Sequence, residues 1–210
     1  MKQNGINYIE ISQEGYFYSD YRTMLDKLLE KGTATGGHTS EAYLKYSEMN
    51  IRRMRRLDKK PELLERTIEF LRSMDKQVLV LTLTEGWCGD AAQIIPVIER
   101  MAALSPNILT RYILRDEHPK VMDEYLTEGS RSIPISIFLD PSTGTPMGSW
   151  GPRPKEAQAI MRARKEEGGG DYSVVSERLH AWYAKDKTVS TQVEFVAELE
   201  KVVKTSLSHS

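Results

Sequence analysis

The single cysteine of this 210-residue chain lies in the segment TEGWCGD, between a strongly apolar run and a stretch with helical spacing. This arrangement predicts that Cys88 stands at the start of a helix. Free backbone N–H groups and the positive end of the helix dipole stabilise a thiolate there, and the thiolate is the reactive form of cysteine. The carboxylate of Asp90 opposes thiolate formation. The two effects leave the direction of the pKa shift of Cys88 open.

The elements around Cys88 follow the order strand, helix, strand, helix, strand, strand. They are predicted over residues 78–83, 91–104, 108–114, 118–126, 131–140 and 145–150. The first strand is rich in valine and leucine without a helical period, which is typical of a strand buried on both faces. Parallel strands joined by a helix end at one edge of the sheet, where sites in open sheets collect. Residues 84–90 and 115–118 are therefore expected at that edge.

Two motifs resemble the thioredoxin superfamily. Trp87-Cys88-Gly89 matches the Trp-Cys-Gly of the thioredoxin active site, and Ser132-Ile133-Pro134 resembles its cis-proline segment. Pro134 follows Cys88 by 46 residues, close to the spacing in that fold. Gly151 stands where thioredoxins carry a glycine that faces the groove beside the active-site cysteine and the cis-proline. The resemblance covers residues 62–167.

The resemblance implies which residues would bind a substrate: Trp87, Gly89, Ile133, Pro134 and Gly151. Pro134 would be cis, and Ile133 would offer main-chain groups to an extended substrate strand. An ordinary trans proline at a strand start is the plain alternative for Pro134. Trp87 would either flank the thiol as an exposed apolar wall or pack as a core residue.

The departures from the family pattern determine the predicted mechanism. Ala91 replaces the second cysteine, Asp90 replaces the intervening proline, and Thr82 replaces the buried acid that assists proton transfer. Without a second thiol, a mixed disulfide at Cys88 must be released by an outside thiol. The sequence therefore favours a monothiol thiol-disulfide oxidoreductase, with Cys88 as the catalytic residue. Its expected partners are a disulfide-containing protein or a low-molecular-weight thiol.

A second hypothesis assigns the chain a function of a different class, which is peptide binding without catalysis. The chain is then a non-catalytic thioredoxin-like module that binds an extended peptide in the groove between Trp87 and Pro134. A redox sensor is a variant of the thiol hypothesis, in which Cys88 is oxidised to a sulfenic acid and capped without turnover. Exchange of Cys88 for serine separates binding from thiol chemistry.

Four further residues are candidates for tuning the pKa of Cys88. Asp90 would raise it, whereas Arg131 and Arg153 are cations that could lower it or hold a carboxylate of a tripeptide thiol. His118 lies on the expected sheet edge and could act as a base for the thiol. The plain alternatives are surface arginines and a histidine that only begins a helix.

The fold class predicted is α/β, with a thioredoxin-like mixed sheet sandwiched by helices. Residues 1–60 form a helical N-terminal extension, 61–167 the thioredoxin-like domain, and 168–210 a helical C-terminal extension packed on it. Pro61 suits the first turn of a helix over 61–74. Both extensions carry apolar helix faces, over 21–29 and 193–202, that need a surface to bury against.

Charge and composition exclude several partners. The chain carries 29 Lys plus Arg against 30 Asp plus Glu, so no global charge attracts nucleic acid or an anionic membrane. The cationic run over 52–60 is either a solvated helix face, a contact for an acidic partner, or a charge contact near the active edge of the sheet. No apolar segment is long enough for export or for crossing a bilayer, which predicts a cytoplasmic protein. The oligomeric state stays open.

No cofactor or metal is predicted. Gly36-Gly37-His38 lacks the Lys-Ser/Thr ending of a phosphate-binding loop. One cysteine cannot build a structural Cys-based zinc site, which needs several ligands. His118 beside Asp116 and Glu117 is weak evidence for a metal.

Overall fold

The computed structural model describes residues 5–59, 62–166, 168–169 and 171–207. The helices are α1 (Tyr8–Glu14), α2 (Tyr18–Glu30), α3 (Glu41–Lys59), α4 (Glu65–Ser73), α5 (Gly89–Ala102), α6 (Pro119–Asp123), α7 (Lys155–Glu166), α8 (Tyr172–Asp186) and α9 (Val189–Leu207). The strands are β1 (Val78–Thr84), β2 (Ile108–Leu114), β3 (Ile135–Leu139) and β4 (Pro146–Trp150). A short 3-10 turn covers Thr35–Gly37.

The strands form one mixed sheet in the order β2-β1-β3-β4. β1 and β2 are parallel, while β3 runs antiparallel to both β1 and β4. Leu83, near the end of β1, pairs with Ile135 at the start of β3. The segment after β1 and the segment before β3 therefore meet at the same sheet edge. This register brings the cysteine segment and the Ser-Ile-Pro segment together.

The helices cover both faces of the sheet because side chains of β1 alternate between the faces. One face packs on the N-terminal helices, in a cluster that includes Leu79, Leu81, Leu83, Tyr8, Tyr21, Ile51 and Met54. The other face packs on later helices, in a cluster that includes Val78, Val80, Phe138, Leu71, Leu179, Phe195 and Leu199. The predicted α/β class, a mixed sheet between helices with helical extensions at both ends, is confirmed.

Several helices and strands begin or end at residues other than those predicted. α1 was not predicted, because its apolar residues are too few to give a clear helical period. β3 begins at Ile135 rather than 131, since the residues before it form the cis-proline segment. α4 begins at Glu65, after an extended Leu64; the proposed helix start at Pro61 lies outside the described residues. No helix in the described part of the chain combines the length and apolarity needed to cross a membrane.

Candidate active site

Cys88 is the N-cap residue of α5, as its place in the sequence predicts. Its sulfur accepts a hydrogen bond from the backbone N–H of Ala91, with a donor–acceptor distance of 3.4 Å. The thiol also donates to the carbonyl oxygen of Ile133, 3.3 Å away. The sulfur atom thus lies between the amino end of a helix and the segment that precedes β3.

The Ile133–Pro134 peptide bond is cis, as the resemblance implied. Gly151 packs directly on this segment. A Cβ atom at Gly151 would lie 2.3 Å from the carbonyl oxygen of Pro134, and the glycine has a φ of +139°. Only glycine fits this backbone conformation and this close approach. Gly151 therefore sets the position of the cis-proline segment relative to β4.

The environment of Cys88 keeps its thiol protonated at neutral pH. The residue is 8% exposed. Burial, with the negative charge of Asp90 second, raises the pKa of Cys88 to about 12, while the Ala91 N–H and the charge of Arg153 oppose the shift. Desolvation thus outweighs the helix amino end. The direction that the sequence left open is upward.

Asp90 is the centre of a buried polar network beside the thiol. Its carboxylate accepts hydrogen bonds from Arg153, at 2.7 and 3.0 Å, and from the hydroxyl of Tyr183, at 2.7 Å. Burial would lower the pKa of Arg153, but the charge of Asp90 raises it. Arg153 also donates to Gln158. Arg153 was a candidate either to lower the pKa of the thiol or to hold a substrate carboxylate; its guanidinium binds Asp90, and its charge opposes the rise in the pKa of Cys88.

Helix α8 covers the first turn of α5. A Cβ atom at Gly89 would lie 3.0 Å from Cε1 of His180 and 3.7 Å from Nη1 of Arg53, so the glycine lets the His180 ring pack closely on the start of α5. Burial, with the charge of Arg53 second, lowers the pKa of His180 to about 4. Its imidazole is therefore neutral at pH 7. Among the described residues, its buried Nδ1 atom has no hydrogen-bond partner.

The N-terminal extension forms the opposite wall. The hydroxyl of Thr35 accepts a hydrogen bond from the N–H of Gly86 at 3.0 Å, and the Asn50 amide donates to the Gly86 carbonyl at 3.1 Å. Trp87 contacts the edge of Tyr43, and the guanidinium of Arg115 lies 4.7 Å from its ring centroid. Trp87 is thus half-buried in a cluster of polar and aromatic side chains. Its burial is intermediate between the exposed wall and the core residue that the sequence left as alternatives.

Two predicted tuning residues are not brought to the thiol. Arg131 is exposed and pairs with Asp123 through two hydrogen bonds of 2.7 and 2.8 Å, which raise the pKa of Arg131. His118 is the N-cap residue of α6 and lines a surface cleft beside α1. Burial lowers the pKa of His118. None of the contacts described for either residue reaches Cys88.

The acid that thioredoxins bury near the thiol is absent at residue 82. The hydroxyl of Thr82 instead shares a hydrogen bond of 3.0 Å with Ser136. A different acid, Glu85, is fully buried three residues before Cys88 and accepts a hydrogen bond from the N–H of Asp116 at 3.0 Å. Burial raises the pKa of Glu85. Sequence reasoning missed this residue because a loop glutamate is usually exposed.

Sequence reasoning also missed the cover formed by Arg53, His180 and Tyr183. The spacing of Val175, Leu179 and Tyr183 predicts a helix, but it does not show against which site the helix packs. A sequence signal existed only for Arg53, in the cationic run for which a charge contact near the active edge was one of three interpretations.

Comparisons with known proteins agree with this architecture. The chain is similar to a crystal structure of a protein of unknown function from Pseudomonas aeruginosa, with 18% identity, a TM-score of 0.61, and coverage of 93% of this chain and 98% of that one. It is also similar to an HIV epitope scaffold, with 19% identity, a TM-score of 0.51, and coverage of 83% and 96%. At these identities the likeness shows the fold alone. No curated protein matches the sequence.

The sequence model of the thioredoxin family matches residues 36–167. This range holds α3, the cysteine segment, the cis-proline segment and Gly151. The match covers more than half of the chain, and the chain therefore belongs to the thioredoxin family.

Proposed function

We propose that the chain is a single-thiol exchange protein in which Cys88 reacts with disulfides from a covered resting state. The observation that carries the proposal is the position of the Cys88 sulfur, 3.4 Å from the Ala91 N–H and 3.3 Å from the Ile133 carbonyl oxygen. A substrate sulfur that approaches along the cis-proline segment would meet the Cys88 sulfur at the helix amino end. That end stabilises a thiolate once it forms.

The exchange has two steps. The Cys88 thiolate attacks one sulfur of a disulfide, a new S–S bond forms to Cys88, and the other sulfur leaves as a thiolate. The thiolate of an external thiol then attacks this mixed disulfide, which restores the Cys88 thiolate and yields a disulfide of the external thiol with the bound group. Ala91 cannot perform the second attack, so the external thiol is obligatory. The partners proposed are a disulfide-containing protein and a low-molecular-weight thiol.

Two properties slow the reaction of Cys88 with a disulfide in the resting state: the burial of its sulfur and the protonation of its thiol. With a pKa of about 12, very little of Cys88 is thiolate at pH 7. The Tyr183 hydroxyl connects α8 to Asp90 on the first turn of α5. Displacement of α8 would admit water to the sulfur and remove the main cause of the raised pKa. Exchange therefore requires a motion of the cover, which a protein substrate or a change in α8 would supply.

A second function is favoured by a specific observation. The thiol of Cys88 donates to the Ile133 carbonyl, and a pKa of about 12 keeps it protonated in that bond at neutral pH. A permanently protonated thiol in this bond is a structural group, and the chain is then a binding module without turnover.

Challenge with oxidised glutathione distinguishes the two functions. Mass spectrometry of the intact protein should find one glutathione added to the wild type, slowly at pH 7, and none added to Cys88→Ser. Tyr183→Phe, which loosens the cover, should accelerate addition, and dithiothreitol should reverse it. If neither the wild type nor Tyr183→Phe forms the adduct under native conditions, whereas both do so in denaturant, the thiol is structural and the exchange function is rejected.

A further inference from the structure

A second concave region lies beside the thiol site, between α3 and the turn that joins α8 to α9. It is a cleft of about 840 Å³, within the range of small-molecule sites, which is roughly 300–1,000 Å³. Its rim carries the cations Arg52, Arg55, Arg56, Lys59 and Lys187, and Glu62 is its one carboxylate among the described residues. A chain with a net charge of −1 thus concentrates positive charge on a single concave surface.

Three of these cations are not neutralised by a neighbour. Arg52 pairs with Glu48 on the same helix, and Arg55 pairs with Asp26 of α2. Within the described part of the chain, Arg56, Lys59 and Lys187 have no carboxylate at ion-pair distance. The charge of Arg56 also contributes, after burial, to the lowered pKa of Arg53. The cleft therefore holds an excess of positive charge that an anion would relieve.

The inner wall of the cleft offers an unused hydrogen-bonding group. Gln93 of α5 lines the cleft and is only 7% exposed. In the described residues its side-chain amide forms no hydrogen bond with the protein. The amide atoms face the open space of the cleft, where they are available to a polar ligand. This feature distinguishes the cleft from an ordinary solvated helix face.

The walls of the cleft are fixed before any ligand binds. The buried Gln192 side chain accepts from Leu64 N–H at 2.8 Å and donates to the Glu62 carbonyl and the Thr188 hydroxyl, both at 3.0 Å. These bonds connect α9 to the start of α4. The turn between α8 and α9 places Lys187 and Thr188 at φ values of +52° and +71°. Such backbone conformations are costly outside glycine and often occur at binding sites.

We propose that this cleft binds a small molecule bearing two or more phosphate groups. Arginine and lysine are the cations that proteins use for phosphates, because guanidinium groups bind their oxygens in pairs and ammonium groups supply a point charge. Leu57 and Ala184 also line the cleft and would contact an apolar part of the ligand. The cleft is concave and has the Gln93 amide on its inner wall, which favours a small ligand over the side chains of an acidic protein. The proposal does not depend on thiol exchange.

Titration with inorganic pyrophosphate tests the proposal. Isothermal calorimetry in about 150 mM sodium chloride, where diffuse surface attraction is screened, should show saturable binding of one pyrophosphate per chain. Arg56→Gln/Lys59→Gln should weaken binding by about tenfold or more, since two cations that would bind the phosphate oxygens are removed. Gln93→Met should weaken it about threefold or more while it leaves the charge unchanged. Cys88→Ser should bind like the wild type.

The matched control removes two cations elsewhere. Lys27→Gln/Lys31→Gln, at the exposed end of α2, should change the affinity less than about twofold. Absence of saturable binding would overturn the proposal, as would equal weakening by both double variants, which indicates diffuse attraction. Tight binding of a polyglutamate peptide without binding of pyrophosphate would also overturn it and identify the cleft as a surface for an acidic protein. Amide NMR spectra of each variant verify that the fold is retained.

Discussion

Two groups of residues border Cys88, here called the positioning flank and the covering flank. They come from different parts of the chain and affect the thiol in different ways. On one flank, the start of α5, the cis Ile133–Pro134 bond and Gly151 reproduce the arrangement expected of a thioredoxin and fix where the sulfur lies. On the other, the covering flank, α8 packs on the first turn of α5 beside the thiol, and burial together with the charge of Asp90 raises the pKa of Cys88. The comparison indicates that position and reactivity are set by different parts of the chain. The family motifs predict the first, whereas the second depends on burial and on the charge of Asp90.

The largest effect is expected on the positioning flank. Gly151→Ala should lower the free energy of unfolding by about 4 kcal/mol, because its Cβ atom would meet the Pro134 carbonyl oxygen in a backbone conformation that alanine avoids. Gly129→Ala is the matched control, since Gly129 also has a positive φ but open space around it. It should cost only about 1–2 kcal/mol. Chemical denaturation measures both, and equal losses would show that the close approach is unimportant.

The next effect concerns the covering flank. Asp90→Asn should lower the free energy of unfolding by about 3 kcal/mol, because it leaves the buried Arg153 guanidinium without its anionic partner. It should also lower the pKa of Cys88, since a negative charge is removed and the charge of Arg153 is no longer balanced. Asp123→Asn breaks an exposed arginine–carboxylate pair and should leave the pKa of Cys88 unchanged. An unchanged pKa in Asp90→Asn would contradict the role of this network.

A smaller effect is expected for the contact between the cover and the helix. Tyr183→Phe should cost about 2 kcal/mol, because it removes a hydrogen bond to a charged group. It should also increase the rate of Cys88 alkylation at pH 8, as α8 loses its polar contact with α5. Tyr8→Phe removes a buried hydroxyl that bonds to Tyr125 and should leave the alkylation rate unchanged. The opposite ranking of the two rates would show that α8 does not control access.

The smallest effect is a pH dependence of stability. The pKa of His180 is about 4 in the folded chain and about 6.5 when unfolded, so between these values the unfolded state binds more protons. Its contribution to stability is therefore fully present above pH 6.5 and is lost as the pH falls toward 4. Solvent screening of this partly exposed group limits the change to on the order of 1 kcal/mol. His180→Gln should flatten the unfolding free energy over this range relative to the wild type.

The sequence predicts the positioning flank well because its determinants are local. The apolar run of β1, the N-cap position of Cys88 and the spacing to Pro134 can each be read from a short segment. The covering flank depends on contacts between distant segments, as in the bonds that Asp90 accepts from Arg153 and Tyr183. The sequence gives the sign of the Asp90 effect but not the burial that dominates the pKa of Cys88. Burial of Glu85 is equally invisible, since it requires the folded edge of the sheet.

The rate of Cys88 alkylation against pH, measured on the native chain, tests the central claim most directly. A thiol positioned by the family motifs but covered by α8 should react ever faster up to and beyond pH 10, with a midpoint that approaches 12. The same titration in denaturant should give a midpoint of about 8.5. A native midpoint at or below the denatured one would contradict the account, because the amino end of α5 would then outweigh burial and Asp90.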